Sequence, residues 1–95
     1  MTTASPMAGA IIKIAANFVE TTIDDEAVVM DIRSGNFFSL TGTALHVWGL
    51  IDGMRDSAAI VAALQQNFPD TDAQKIAIDV EGFLDELGEA DLVSR

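Results

Sequence analysis

The stretch Glu26-Ala27-Val28-Val29-Met30-Asp31-Ile32-Arg33-Ser34-Gly35-Asn36-Phe37-Phe38-Ser39-Leu40 decides how this chain folds. Ala27 to Ile32 is rich in residues that suit a strand. Its alternation puts Val28, Met30 and Ile32 on one face, with Val29 and Asp31 on the other. Arg33-Ser34-Gly35-Asn36 reads as a turn, with Gly35 free to take a positive φ. Phe37 to Leu40 then returns as the next strand. Upstream, Phe18 to Ile23 is rich in Val, Thr and Ile and reads as a strand of its own. The polar turn Asp24-Asp25-Glu26 separates it from Ala27. Short strands joined by short turns predict an antiparallel meander, with Phe37–Leu40 as its third strand.

At Thr41 the period changes. Thr41 is a candidate N-cap. Ala44, Leu45, Trp48 and Ile51 recur at helical spacing and predict a helix over 42–51, ended by Asp52-Gly53. Asp56 caps a second helix, whose Ile60, Val61, Leu64 and Phe68 form one stripe, and Pro69-Asp70 closes it. Thr71 with Gln74 forms a capping box for a third helix. There Ile76, Val80, Phe83, Leu84 and Leu87 keep the helical period as far as Gly88. Leu92 and Val93 are an apolar tail able to tuck back onto the body. The order predicts an α+β fold, a three-stranded antiparallel meander followed by three helices, and suggests a winged-helix-like body. Residues 1–17 are expected as a partly ordered N-terminal arm and 18–95 as the folded domain. Within the arm, Ile11, Ile12 and Ile14 fit the start of a strand or of a short helix.

Composition narrows the function. The chain has 95 residues, enough for one domain. It has no Cys, which removes disulfides, thiolate metal sites and Cys nucleophiles. Five basic residues against fifteen acidic ones give a net charge of −10, a surface that repels nucleic acid and anionic lipid. Apolar residues make up 49% of the chain and the mean hydropathy is +0.31, unlike a disordered acidic tail. The N-terminus has no basic n-region, and its apolar run Ala8 to Ile12 is broken by Lys13. That run is too short for a signal-peptide core or a membrane span, so a cytoplasmic location and no membrane partner are expected.

Catalytic signals are missing. His46, the single histidine, has no second His or Cys to share a metal with and reads as a partly exposed helix residue. Glu81 and Asp85, with Asp79 and Glu86 nearby, fit a solvated helix face better than a cation site. Asp70-Thr71-Asp72 lacks the downstream Gly and Glu of a calcium loop. No Gly-rich loop precedes a helix, and no nucleophile sits in an elbow. No catalytic residue, metal or cofactor is assigned.

Phe37-Phe38 is more informative. Phe38 shares a face with Leu40, toward the core, so Phe37 points away. It lies either under the N-terminal segment or along a groove for a partner. The third strand is also an edge of the meander, with unpaired donors and acceptors that invite another strand. The third helix has apolar residues beyond one stripe. Ile78 lies nearly opposite Val80, and Ala77, Glu81 and Leu84 flank the stripe. A helix beside an open strand edge makes a cleft for an extended peptide; a wider core face or a homodimer contact would use the same residues.

These residues resemble a known family. The run Glu26–Leu40 looks like the paired strands of PqqD-like proteins. So does Thr41-Gly-Thr-Ala-Leu-His-Val-Trp-Gly-Leu-Ile-Asp-Gly53, with Trp48, and so does Asp79-Val-Glu-Gly-Phe-Leu-Asp-Glu-Leu87. The resemblance spans residues 18–93. It implies a precursor-peptide recognition element of ribosomally synthesised, post-translationally modified peptide pathways. Such a domain is not a catalyst. It binds the leader of a precursor peptide and delivers it to a modifying enzyme or leader peptidase. The family's leader adds as a strand to the third strand and packs on the third helix. By position, Asn36, Phe37, Phe38, Ser39 and Leu40 would give the docking edge, and Ile76, Ala77, Val80, Glu81 and Leu84 the helix wall. Phe38, Val80 and Leu84 are equally readable as pure core. Glu81 and its acidic neighbours suit a basic leader. One departure stands out: Asp91-Leu92 replaces the family's closing Gly-Leu, which predicts an earlier end to the last helix.

Two other readings share this architecture. A winged-helix DNA-binding regulator needs a basic recognition helix, whereas Asp70 to Arg95 holds eight acidic residues against Lys75 and Arg95. A small protein–protein adaptor would use the same cleft for a folded partner, with residues 1–17 covering the sheet or joining a homodimer.

Overall fold

The computed structural model describes residues 9–94. Its elements in chain order are β1 (Ile12–Lys13), a 3-10 turn (Ala15–Asn17), β2 (Phe18–Ile23), β3 (Glu26–Asp31), β4 (Phe37–Leu40), α1 (Gly42–Leu50), α2 (Ser57–Asn67), α3 (Ala73–Glu89) and β5 (Val93–Ser94). The expected meander is β2-β3-β4, antiparallel throughout. Asp24 takes a left-handed φ of 52° at the β2–β3 turn, and Gly35 takes 78° at the β3–β4 turn.

One core joins the layers. Ala27, Val29 and Leu40 from the sheet meet Val47, Trp48 and Ile51 of α1 and Ile60 and Leu64 of α2. Ile76, Val80, Leu84 and Leu87 of α3 close it. Ala27, Val29 and Asp31 therefore form the core face of β3, and Val28 and Met30 the outer face. Trp48 is almost fully buried, with Phe18 edge-on at 5.2 Å and the Lys13 ammonium 4.3 Å from its ring centroid. Burial holds the Lys13 pKa below its ordinary value, against the opposing pull of Glu20 and Asp52.

The helix ends differ from expectation in two places. Asp72, not Thr71, caps α3: its carboxylate accepts from the amides of Gln74 at 2.8 Å and Lys75 at 3.4 Å. A carboxylate at that position also meets the positive end of the helix dipole, which a neutral Thr does not. At the other end, Asp91 adopts a left-handed φ of 57° and does the work of the family's Gly. The Leu92 amide donates to Leu87 and the Asp91 amide to Gly88, at 3.0 and 3.1 Å. Together they make a Schellman closure, with Leu92 packed against Leu87. The last turn of α3 is therefore kept rather than lost.

The segment before Phe18 is part of the body from Ala10 onward. Ala10 and Ile11 are buried. The Ile11 amide donates to Arg55, and its carbonyl accepts from Gly53. β1 pairs antiparallel with β5, which fixes the expected apolar tail Leu92-Val93 in the core. Of the arm expected over residues 1–17, residues 1–8 lie outside the described residues.

Candidate functional site

The free edge of β4 follows from hydrogen-bond parity. Antiparallel ladders alternate between residue pairs that exchange hydrogen bonds and pairs that do not. The Asp31 amide donates to the Asn36 carbonyl at 2.8 Å. Counting from that pair along the register, Val29 with Phe38 and Ala27 with Leu40 are the bonded pairs. Phe38 and Leu40 thus turn their amide and carbonyl groups toward β3. Phe37 and Ser39 turn theirs outward, to an edge with no partner strand among the described residues. Phe37 is 68% exposed, so no described residue of the N-terminal segment covers it.

The side chains of β4 divide the same way. Leu40 is buried and Phe38 half-buried against the core, while Phe37 and Ser39 lie on the outer face. The Ser39 hydroxyl donates to the Glu26 carboxylate. Asn36 is exposed in the turn, and its amide donates to the Ser34 hydroxyl at 3.1 Å.

On α3, Ile76, Val80 and Leu84 are buried in the cluster that also holds Leu40. Their side chains belong to the core and offer no open surface, although they were expected on the helix wall. Ala77 and Glu81, half-buried and one turn apart, give that flank its surface, and Ile78 on the far side is 65% exposed. β4 packs on β3 and α1, while α3 packs on α2, α1 and β5.

The sequence reading missed a clamp between strand and helix. Arg33, in the turn before β4, donates to the Asp91 carboxylate at 3.1 Å and to the Ala90 carbonyl at 3.3 Å. Asn17 adds a bond from its side-chain amide to the Asp91 carbonyl at 2.8 Å. The ion pair is exposed and worth at most about 1 kcal/mol, so its effect is mainly positional. It ties the β3–β4 turn to the residues that close α3. The available signal was an isolated Arg beside a turn in a strongly acidic chain.

The buried Asp31, the last residue of β3, braces the same turn. Its carboxylate accepts from the Arg33 amide at 2.9 Å. That bond, helped by the hydroxyl and amide of Ser34, keeps the Asp31 pKa below the usual carboxylate value although burial opposes it. His46 is exposed with Phe68 edge-on at 5.1 Å. A cavity of about 550 Å³ lies elsewhere, lined by Ile14, Asp85, Gly88, Glu89, Asp91, Val93 and Ser94. None of the residues expected at the docking edge or helix wall lines it.

Comparison with known proteins places the chain's family and fold. The sequence profile of the family described as "Coenzyme PQQ synthesis protein D (PqqD)" matches residues 26–93. A curated relative, "PqqA binding protein 1" of Pseudomonas putida, is 44% identical over 46 residues, which span 48% of this chain and 48% of that protein. The match thus spans about half the length of that curated relative. A solved structure, "TbiB1 in Complex with the TbiA(beta) Leader Peptide", superposes with a TM-score of 0.74 at 26% identity, covering 87% of this chain and 95% of that one.

Proposed function

This chain belongs to the PqqD family, and from that premise we propose that it captures the leader segment of a ribosomal precursor peptide. The leader adds as a strand to β4 beside α3. The domain is a binding partner and not a catalyst, and it delivers the bound peptide to a modifying enzyme or leader peptidase in the cytoplasm. The observation that carries this reading is the unpaired edge of β4, with the backbone groups of Phe37 and Ser39 turned outward. An open edge offers main-chain hydrogen bonds for affinity, and the flanking side chains add selectivity. The likeness to a leader-bound structure and to a PqqA-binding relative supports the same use. No helix among the described residues is long and apolar enough to cross a membrane. The net charge of −10 leaves little affinity for nucleic acid.

The test is a calorimetric titration of the protein with synthetic leaders. These are the leader of any precursor gene found adjacent to this one and the TbiA(beta) leader, with a scrambled leader and duplex DNA as controls. Sequence-dependent binding at micromolar affinity, about −8 kcal/mol, is expected for the first. Equal binding of the genuine and scrambled peptides refutes the proposal.

A further inference from the structure

An apolar row crosses the outer face of the sheet and stops at the open edge. The register sets Val19 opposite Met30 and Met30 opposite Phe37. Val19 is 50% exposed and Phe37 68%. Lateral neighbours on one face sit about 5 Å apart, so these three side chains form a continuous strip. The next row runs Thr21, Val28, Ser39. It ends in polar chemistry, because the Ser39 hydroxyl is bonded to the Glu26 carboxylate on the same face.

The two residues that end these rows, Phe37 and Ser39, are also the two whose backbone groups face outward. A strand that pairs with this edge must set one residue opposite Phe37 and the residue two along opposite Ser39. Both side chains then lie on the outer face, whether the incoming strand is parallel or antiparallel, because lateral neighbours share a face in either case. The strip continues without a break onto the docked strand, which is the occupant the register provides for.

We infer that the captured segment is selected on its outer face as well as on the face it turns to α3. It carries an apolar residue opposite Phe37, which completes the row begun by Val19 and Met30. Two positions away it carries a hydrogen-bond donor, best a Lys or Arg, opposite Ser39 and within reach of the Glu26 carboxylate. Phe37 and Glu26 are then specificity-determining residues. This inference rests on strand addition to β4 and specifies what that strand must contain.

The experiment pans a display library of random dodecapeptides against the wild-type protein, Phe37→Glu and Glu26→Lys, each first checked for native circular dichroism. The wild-type pool should converge on an apolar and a basic residue spaced two apart. Phe37→Glu should replace the apolar preference with a basic one, and Glu26→Lys should replace the basic preference with an acidic one. A peptide from the wild-type pool should bind Phe37→Glu about fivefold more weakly. One consensus shared by all three pools overturns the outer-face selection and leaves strand capture standing. No enrichment on the wild-type protein overturns both. Sedimentation of the wild type as a dimer that Phe37→Glu dissolves also overturns the inference, because a second copy would then cover the strip.

Discussion

At the β2 edge of the sheet the outward-facing backbone belongs to Phe18, Glu20 and Thr22; at the β4 edge it belongs to Phe37 and Ser39. Both edges lack a partner strand among the described residues. Glu20 puts a charge on the core-side face in the middle of β2, opposite Val29. A strand pairing there would have to pack against that carboxylate. A charge so placed is a common guard against edge-to-edge association. β4 itself carries no charged side chain, and the Glu26 carboxylate beside it lies on the outer face, bonded to the Ser39 hydroxyl. The β4 sequence is Phe-Phe-Ser-Leu, and its outward positions hold an exposed aromatic and a small hydroxyl. The two edges thus differ in the charge that their own side chains carry. The difference lies in a few side chains, since both edges have ordinary strand geometry.

Proline substitution tests the contrast most strongly. Ser39→Pro deletes an outward amide on β4 and leaves the ladder to β3 intact. It should weaken leader binding about tenfold, roughly 1.4 kcal/mol, the scale of one hydrogen bond to the docked strand. Thr22→Pro deletes the equivalent outward amide on β2 and should leave the affinity unchanged. Titration of both variants against the same leader decides the matter, with circular dichroism to show that each is folded. Equal losses from the two substitutions would mean that β4 is not the docking edge.

Acid should act on the β4 side of the sheet through Asp31. Its carboxylate holds the Arg33 amide and the Ser34 groups in the turn that launches β4, and its folded pKa lies below the ordinary 3.8. A depressed carboxylate pKa means that the stabilisation is fully present above the unfolded value. It is lost as pH falls through the lower, folded value. Asp31→Asn should therefore be less stable than wild type at neutral pH, and the gap should narrow as the solution is acidified below the usual carboxylate range. Urea midpoints of the two proteins measured down the pH scale give the comparison. A gap that stays constant with pH would remove the charge of Asp31 from the account.

Much of this architecture could be read from the residues. Alternation in Ala27–Ile32, the Gly35 turn and the helical stripes are local signals, and local signals predicted the meander and the three helices. The rest depends on contacts that no window of sequence contains. Val28 and Met30 were legible as one face of a strand, but that this face looks to water is decided by α1 packing on the other. Ile76, Val80 and Leu84 fit both a wall and a core, and only the depth of α3 places them in the core. The Arg33–Asp91 clamp joins residues 58 positions apart. Asp91 was read as a weaker substitute for Gly, yet the bonds from Leu92 and Asp91 back to α3 hold it in the left-handed conformation. That β4 is an edge was legible because strand order alone makes it terminal, as it does β2, whereas the charge that distinguishes β2 needed the register.

Glu20→Val sharpens the comparison with the smallest change to the fold. Glu20 is exposed, so its replacement should move stability by no more than about 0.5 kcal/mol. It also removes a charge that raises the Lys13 pKa, so that pKa should fall further. The effect to look for is association. With the carboxylate gone, the outward groups of Phe18, residue 20 and Thr22 sit on a strand as uncharged as β4. Sedimentation velocity over a concentration series should show Glu20→Val self-associating where the wild type does not, and Glu20→Lys should stay at the wild-type state. If Glu20→Val sediments like the wild type at every concentration, the β2 edge is closed by something other than charge. The openness of β4 would then have to be explained by its shape rather than by the absence of a guard.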